Sequence, residues 1–339
     1  MTKNKYILAI ESSCDDTSVA VVDISYNIVV MNTSSQPEHV VFGGVLPELA
    51  SRLHMKNILI LVESCLQQSH LSLEEMSAVA ISINPGLIGS LLVGLSFAKS
   101  LAWALNLPLI TVNHMLGHVF ANHLVHGYIN PPYLALVVSG GHTELINFES
   151  DTVFTCVGKT LDDAAGETFD KAAKLLGIGY PGGPVIDKLA KNGNPSFYNF
   201  PLALKQKNDY NFSYSGLKTA ILQFLSSHEE NWIKEHQADL AAAIQYAIVT
   251  PLVKKTVRYA KLNNIHTILI AGGVAANSYL RAQMDKAAAQ IHAKVFYPSL
   301  TLCMDNAAMI AAAAIPKVFK GEFADLSVNA FSDKGTRYI

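Results

Sequence analysis

The chain has 339 residues, of which 50% are hydrophobic and 15% charged, a composition that excludes global disorder and suits two packed domains. Its formal net charge is −2, and its arginines are only Arg52, Arg258, Arg281 and Arg337. A stand-alone nucleic-acid-binding protein usually carries more basic residues, in clusters, so an RNA substrate would need partner proteins to help hold it.

The first part of the chain predicts a β-hairpin followed by alternating helices and strands. An apolar run at Tyr6–Ile10 enters a small polar turn, and Ser18–Asp23 leaves it as a second strand. A third strand is predicted at residues 28–32, and a further one at Ala78–Ile83. Short apolar runs of this length, bounded by polar turns, are typical of buried strands.

The longest apolar stretch runs from Leu91 to Val112 and has the length of a membrane span. Lys99 and Asn106 interrupt it, and Pro108 breaks it. Because these residues divide the stretch, it predicts a buried helix, Gly89–Leu105, followed by a buried strand. We therefore expect no membrane anchor here.

The second part of the chain repeats the plan of the first. Another apolar strand enters a glycine-containing turn within Tyr133–Phe148, and after several helices a strand ends in the turn of Thr267–Asn277. Such duplication predicts an α/β fold of two related lobes with the ligand and metal cleft between them. We assign residues 1–130 and 308–339 to the first lobe and residues 131–307 to the second, with Lys188–Asp209 as a surface insertion.

Three glycine-containing turns are candidate phosphate sites. Ser139–His142 and Ala271–Asn277 each end an apolar strand, and Tyr180–Pro184 precedes a predicted helix. Glycine lets backbone N–H groups approach an anion, and free N–H groups at a helix start attract phosphate. Each turn alone is also an ordinary tight turn, but together they favour a nucleotide site. None matches the P-loop or the Rossmann fingerprint.

The strongest metal signal is a pair of histidines. His114 and His118 follow a predicted strand and are four residues apart, which places both imidazoles on one face of a helix. Asp305, at the start of an alanine-rich predicted helix, is the best candidate for a third ligand, although Asp also commonly caps helices. Two histidines and one carboxylate would leave coordination positions open for water or substrate.

Acidic residues outside this group are more ambiguous. The turn Glu11–Ser18 holds three carboxylates and four hydroxyls, and is either a solvated turn or a loop that organises a cation or polarises a nucleophile. A second acidic cluster lies at Asp162–Asp170, on a helix predicted to start near Ala164, and Asp187 follows the third glycine turn. These carboxylates either start a solvated helix or bind ligand hydroxyls.

The cysteines are Cys14, Cys65, Cys156 and Cys303, which are far apart and form no CxxC pair. This spacing indicates free thiols in a reducing compartment. The N-terminal residues turn acidic after one short apolar run, too short for a secretion signal. We therefore expect a cytoplasmic protein.

The motifs together resemble one family, the TsaD/Gcp-type tRNA N6-adenosine threonylcarbamoyltransferases, in its bacterial branch. The matching segments run in family order from about residue 7 to residue 313 and include ILAIESSCDDTSVAVV, GGVLPELASR, NPGLIGSLLVG, VNHMLGH, LALVVSGGHTEL, DDAAGETFDKAAKLLG, YPGGP, AGGVAANSYLR and MDNAAMIA. VNHMLGH joined to VSGGHT is the most specific pair. The resemblance implies the two-lobed actin/Hsp70/sugar-kinase-like fold.

The resemblance also implies a set of site residues. It places one metal ion, Fe²⁺ or alternatively Zn²⁺, on His114, His118 and Asp305. The substrate-binding residues that it implies are Val137, Val138, Ser139, Gly140, Gly141, Asp170, Gly183, Asp187 and Asn277. It leaves the catalytic base open, with Glu11 as the candidate.

The implied reaction transfers the threonylcarbamoyl group from threonylcarbamoyl-adenylate to the N6 amine of the adenosine 3′ of the anticodon. The substrates are tRNAs that read codons starting with A, and AMP is released. The implied partners are a threonylcarbamoyl-AMP synthase upstream, a TsaB-like paralogue and a TsaE-like ATPase.

Three other functions are weighed against this one. A zinc protease of the HExxH type needs a glutamate after the first histidine, whereas Met115 follows His114. A sugar or acetate kinase of the same fold would not need the histidine pair. A chaperone-like nucleotide switch would need the glycine turns but not the histidines.

Overall fold

The computed structural model describes residues 5–42, 44–202 and 209–332. The chain forms two compact units, unit 1 from Met1–Ile129 with Pro298–Ile339, and unit 2 from Asn130–Tyr297. The first boundary is next to the predicted one, but the chain returns to unit 1 at Pro298 instead of at residue 308. Asp305 thus belongs to unit 1.

Unit 1 begins with the predicted hairpin and its third strand. In chain order its elements are β1 (Tyr6–Glu11), β2 (Thr17–Asp23), β3 (Ile28–Ser34), a 3₁₀ turn (Pro37–Phe42), α1 (Pro47–Ser69), β4 (Met76–Asn84), α2 (Ile88–Leu105), β5 (Leu109–Asn113), α3 (His114–Phe120) and α4 (His123–His126).

Unit 2 begins with the second hairpin, and the chain then returns to unit 1 for one long helix. The elements of unit 2 are β6 (Tyr133–Val138), β7 (Thr143–Phe148), β8 (Phe154–Lys159), α5 (Ala165–Leu176), α6 (Gly182–Ala190), α7 (Ser215–Ser226), α8 (Glu230–Glu235), α9 (Gln237–Leu262), β9 (Thr267–Ala271), α10 (Ser278–Ala289) and β10 (Lys294–Phe296). The helix in unit 1 is α11 (Ala307–Lys320).

The two sheets have the same topology. Within the described residues each has five strands, in the orders β3-β2-β1-β4-β5 and β8-β7-β6-β9-β10. In each sheet the three strands that come first in the chain pair antiparallel, β1 to β3 in one sheet and β6 to β8 in the other. The other two strands are parallel: β4 pairs with β1 and β5 with β4, and likewise β9 pairs with β6 and β10 with β9. This identity confirms the predicted α/β class with a duplicated core.

The core of unit 1 lies on both faces of its sheet. Every residue of β4, and every residue of β1 except Tyr6, is buried, as expected for strands covered on both sides. Helices α1 and α2 pack on the sheet, and α11 contacts β1, β2, β4 and β5. The run of alanines from Ala311 to Ala314 is buried in α11, since small side chains let a helix approach a sheet closely.

Within the described residues, α2 is long and apolar enough to cross a membrane, as judged by its length and composition alone. It matches the predicted helix Gly89–Leu105, and β5 follows it as expected. Its residues Leu91, Leu95 and Ala98 are buried. The predicted insertion Lys188–Asp209 differs at its start, because α6 continues to Ala190, and residues 203–208 lie outside the described chain.

Candidate metal centre and glycine turns

The histidine pair lies on α3, which starts where β5 ends. Asn113 caps this helix, because its Oδ1 accepts hydrogen bonds from Met115 N at 2.9 Å and Leu116 N at 3.3 Å. An Asn cap satisfies N–H groups that have no partner within the helix. The helix therefore begins at His114, and His118 follows one turn later on the same face.

His114, His118 and Asp305 meet in unit 1. Asp305 Oδ1 lies 3.4 Å from His114 Nε2 and 3.2 Å from His118 Nε2. The two rings are 4.7 Å apart and nearly perpendicular, at 84°. One ligand atom from each residue lies within 4.8 Å of the other two. All three predicted metal ligands are therefore brought together.

The group fits a metal ion better than a network of hydrogen bonds. Ligand atoms about 2.0–2.2 Å from one ion lie roughly 3.0–3.5 Å from each other, which matches the spacing around Asp305 Oδ1. His118 is buried, and within the described chain neither of its ring nitrogens makes a hydrogen bond, because the approach to Asp305 is close but poorly directed. A buried imidazole without hydrogen bonds is costly unless a ligand binds it.

Glu11 and Ser13 lie behind His114. Glu11 Oε2 is 3.0 Å from His114 Nδ1, and Ser13 Oγ is 3.1 Å from the same atom. Glu11 Oε1 accepts the backbone N–H of Ser13 at 2.5 Å. A carboxylate on one ring nitrogen fixes the proton there and leaves the other nitrogen free for a metal. Glu11 therefore favours the tautomer in which Nε2 faces Asp305.

The charges of this group are strongly coupled. Burial alone would lower the pKa of His114, but Asp305 and Glu11 hold it well above its ordinary value. Burial would raise the pKa of both carboxyls, yet His114 lowers that of Glu11. His114 and His118 together hold the pKa of Asp305 well below its usual range. A divalent cation at Nε2 must therefore displace a tightly held proton from His114.

Asp305 is not the cap of α11. The residue that caps this helix is Asn306, whose Oδ1 accepts Met309 N at 2.9 Å. Asp305 lies one residue earlier, and its side chain is 27% exposed. Gly117 of α3 allows the close approach of the two helices, since a Cβ there would lie 2.9 Å from Ile310 Cδ1. The alternative interpretation of Asp305 as a helix cap is wrong.

The residues implied at the first glycine turn lie together in unit 2. Val137 and Val138 are buried at the end of β6. Ser139 closes the turn, because its N–H donates to His142 O at 2.9 Å and its Oγ accepts His142 N at 3.1 Å. Gly140 and Gly141 are exposed, with nothing within 4 Å of the positions that their Cβ atoms would take.

Three helix starts in unit 2 are linked one to the next. Ser139 O accepts the N–H of Gly166 in the first turn of α5, at 3.2 Å. From α5, Asp170 Oδ1 accepts the N–H of Gly182, the first residue of α6, at 2.7 Å. From α6, Asp187 binds Ser278, the first residue of α10, through Oγ at 2.9 Å and N at 3.2 Å.

Asn277 and Gly183 complete the implied set. Asn277 caps α10 by accepting Leu280 N at 2.8 Å, and its Nδ2 donates to Gln245 Oε1 at 2.8 Å. Gly183 lies in the first turn of α6, with open space at its Cβ position. Asp170, Asp187 and Asn277 thus bind backbone and hydroxyl groups at helix starts. In the second acidic cluster, Lys171 pairs with both Asp163 at 2.7 Å and Glu167 at 2.8 Å.

Several residues of these sites are not predicted by the sequence. Ser13 lies in the acidic turn, where the run of hydroxyls is a signal but does not single it out. Gln245 and His54 are single buried polar residues on long helices, and no local pattern distinguishes them from residues of the core.

Comparisons with known proteins place this chain beside one family. The model of the TsaD family, described as tRNA N6-adenosine threonylcarbamoyltransferase, matches residues 27–312. A protein of that name from Thermosipho africanus (strain TCF52B) is 46% identical over 324 residues, covering 96% of this chain and 98% of that protein. One from Moorella thermoacetica (strain ATCC 39073 / JCM 9320) is 47% identical over 328 residues, covering 96% of each.

A solved structure extends the likeness in fold. HypF from T. kodakarensis has a TM-score of 0.64 to this chain at 12% identity, over 94% of this chain and 48% of HypF. At that identity the likeness shows the fold alone. Since the family model matches most of the chain, and curated relatives are nearly half identical over almost their full length, the chain belongs to the TsaD family of tRNA N6-adenosine threonylcarbamoyltransferases.

Proposed function

We propose that this chain transfers the threonylcarbamoyl group of threonylcarbamoyl-adenylate to the N6 amine of the adenosine 3′ of the anticodon, in tRNAs that read codons starting with A. The amine nitrogen forms a bond to the carbamoyl carbon, and the bond from that carbon to the phosphate oxygen breaks. AMP leaves with the electron pair, and the amine gives up one proton. This is the chemistry of an acyltransferase.

The observation that carries this proposal, beside family membership, is the close group of the buried His114 and His118 with the partly exposed Asp305. A kinase or a chaperone-like switch of the same fold has no need for two histidines and a carboxylate within 4.8 Å of one another. A protease of the HExxH type is disfavoured as well, because Met115 occupies the position of its glutamate and is buried.

The metal-binding residues in this proposal are His114, His118 and Asp305. Two histidines with one carboxylate are typical of Fe²⁺ sites with open positions, and Zn²⁺ accepts the same donors. When bound, the ion would act as a Lewis acid towards the carbonyl or would orient the threonyl group. Glu11 would hold the proton on Nδ1 of His114. With both oxygens already engaged, it suits an orienting role better than that of the base.

The adenylate would bind to unit 2. Backbone N–H groups at Gly140 and Gly141 are suited to phosphate, because the glycines leave open space beside them. Gly183 leaves open space at the start of α6, where its N–H already donates to Asp170. Val137 and Val138 support the turn, and Ser139 closes it. Asp170, Asp187 and Asn277 fix the starts of α6 and α10, so a ligand at these helices would meet preformed N–H groups.

The tRNA would be held jointly with other proteins. The net charge of −2 supplies little attraction for the RNA backbone, which supports a complex with a TsaB-like paralogue and a TsaE-like ATPase. A threonylcarbamoyl-AMP synthase would supply the donor. An exocyclic amine is a weak nucleophile, so positioning it is a large part of catalysis, and the base would be splayed from its loop. The four free cysteines support a cytoplasmic location.

The test is a reconstituted reaction with defined components. The purified protein is combined with its partner proteins, unmodified tRNA, threonine, bicarbonate and ATP, and the digested tRNA is examined by mass spectrometry for threonylcarbamoyladenosine. We expect product with the wild type. We expect loss of at least about a hundredfold with His114→Ala and Asp305→Ala, together with loss of bound metal.

His266→Ala serves as the matched control, because His266 is an exposed histidine of unit 2. It should retain wild-type activity and metal content. Absence of product from folded, metal-loaded wild-type protein with competent partners would overturn the transferase proposal. Phosphoryl-transfer assays with ATP would then test the kinase alternative.

A further inference from the structure

The turn between β1 and β2, Ser12–Asp16, is here called the acidic loop, and its first half is anchored to α2. Ser12 Oγ donates to Ser90 O at 3.0 Å, and Ser13 O accepts the N–H of Leu87 at 2.7 Å. Ser13 Oγ also contacts His114 Nδ1. The first half of the loop therefore has several independent attachments beside the metal centre.

The second half of the acidic loop is held by His54 of α1. His54 Nε2 lies 2.9 Å from Cys14 O, and His54 Nδ1 lies 2.7 Å from Thr17 Oγ1. The ring is fully buried. A carbonyl oxygen only accepts hydrogen bonds, so Nε2 carries the proton and Nδ1 accepts the hydroxyl proton of Thr17. His54 thus bridges both ends of the segment Cys14–Thr17.

A neutral imidazole can make both hydrogen bonds of the bridge. With its proton on Nε2, the ring donates to Cys14 O and accepts the hydroxyl proton of Thr17 at Nδ1. Burial lowers the pKa of His54, which keeps the ring neutral, although the Cys14 carbonyl and the charges of Glu11 and Asp15 act in the opposite direction. The bridge is therefore stable at neutral pH.

The segment that His54 bridges carries the carboxylates of Asp15 and Asp16. Ser13, the neighbour of Cys14, touches His114, so these carboxylates are close to the metal centre along the chain. Burial, followed by the charges of Asp15 and Asp305, raises the pKa of Asp16 to about 6, against the opposing effect of a hydrogen bond with Ser35. The carboxylate of Asp16 is thus within electrostatic reach of Asp305.

We propose that His54 is a positioning residue for the transfer reaction: through Cys14 O and Thr17 Oγ1 it fixes the half of the acidic loop that carries Asp15 and Asp16, next to Ser13, which contacts His114. The expected effect on kcat rests on the proposed transferase function, whereas the expected effect on the acidic loop does not. His54 does not belong to the metal-binding group, whose position depends on α3, Glu11 and Asp305. Loss of the bridge should therefore disturb the loop and leave the metal in place.

The first test needs no substrate and uses the thiol of Cys14. Burial and Asp15 raise its pKa far above the ordinary value, and the thiolate is the reactive form, so labelling by a maleimide should be slow. The variant Thr17→Val keeps the shape of the side chain but removes the hydroxyl. In a Cys156→Ser background, where the remaining thiols of Cys65 and Cys303 are buried, Thr17→Val should raise the Cys14 labelling rate about tenfold.

The second test is the reconstituted transfer assay with the same variants. Thr17→Val and His54→Ala should lower kcat about tenfold, with KM for tRNA and metal content unchanged. Thr17→Ser, which keeps the hydroxyl, should restore both slow labelling and kcat. The double variant should be no worse than His54→Ala, because both changes remove one bridge.

The outcomes separate this proposal from the proposed function. Unchanged Cys14 labelling in Thr17→Val would overturn the bridge, and faster labelling with unchanged kcat would overturn the positioning role. Loss of metal in Thr17→Val would also overturn it, since the effect would then act through the metal centre. A wild type without product would contradict the transferase function instead, and labelling would still decide whether His54 holds the loop.

Discussion

Replacing Glu11 with glutamine tests whether this residue orients His114 or acts as the catalytic base. Glu11 accepts two hydrogen bonds, one at each oxygen, from Ser13 N and from His114 Nδ1. Glutamine has only one acceptor oxygen, so its NH2 group must face one of these two donors. If it faces His114, the ring must accept at Nδ1 and carry its proton at Nε2, where the metal would bind.

The expected cost of Glu11→Gln follows from these contacts. A charge-assisted hydrogen bond contributes about 1.5–3 kcal/mol, and loss of a residue that orients a metal-binding histidine lowers metal affinity by about 10–100-fold. These two estimates agree, because tenfold corresponds to about 1.4 kcal/mol. We therefore expect the variant to bind Zn²⁺ or Fe²⁺ roughly 10–100 times more weakly than the wild type.

Calorimetric titration of the metal-free protein with Zn²⁺, and anaerobically with Fe²⁺, measures this affinity. Ser13→Ala is the matched control, since it removes the second contact to Nδ1 while Glu11 stays, and its effect should be several-fold smaller. Wild-type metal affinity in Glu11→Gln, together with lost transfer activity, would refute the orienting role and favour Glu11 as the base.

Three further predictions concern pH, a helix start and a glycine. Because the pKa of His114 is raised, metal affinity should fall as pH falls through that pKa, and metal binding should release a proton. Calorimetry in buffers of different ionisation enthalpy measures the proton release. A pH-independent affinity would contradict this expectation. Burial raises the pKa of Asp162, but hydrogen bonds from Ser213 Oγ and from Tyr214 N and Ser215 N at the start of α7 lower it below the ordinary value. Asp162→Ala should therefore lower the free energy of unfolding by about 1 kcal/mol at neutral pH, and by less as pH falls through the lowered pKa, as measured by urea unfolding. Gly272→Ala should lower the free energy of unfolding by about 2–5 kcal/mol, because the φ of Gly272 is +86° and a Cβ there would lie 2.4 Å from Val138 O. Gly216 has open space at its Cβ position, so Gly216→Ala should be nearly neutral. Thermal melts of both variants measure the difference.

The duplicated core is predictable because it depends on local periodicity. Apolar runs such as Tyr6–Ile10 and the strand of Tyr133–Phe148 end in polar or glycine-containing turns, and a strand of five or six residues contains enough of its own pattern to be recognised. The return of the chain to unit 1 at Pro298 is not predictable in this way. It depends on the packing of α11 against strands that lie far away in the sequence.

The candidate metal centre is predictable for a different reason. His114 and His118 share a helix face, so their spacing alone predicts proximity. Asp305 is a candidate third ligand from its place at the start of an alanine-rich predicted helix, and the family resemblance implies the same residue. The residues around them carry no such pattern. His54 reaches the acidic loop from a position 40 residues away from Cys14, and only the fold brings the two together. The resemblance implies Asp170 and Asp187 as site residues, but the sequence does not reveal that Asp170 binds the start of α6 and Asp187 the start of α10.

The charge balance of the metal centre explains why these residues suit a divalent cation. Two carboxylates contact His114, those of Glu11 and Asp305, and both have lowered pKa values, so they contribute a charge of −2 at neutral pH. A proton on His114 compensates half of this charge, whereas a divalent cation compensates all of it. Because uncompensated charge is costly in a buried site, the group favours a divalent cation over a single proton, although the two carboxylates also raise the pKa of His114. Glu11 therefore has two effects on the metal: it fixes the tautomer of His114, and it supplies the second negative charge.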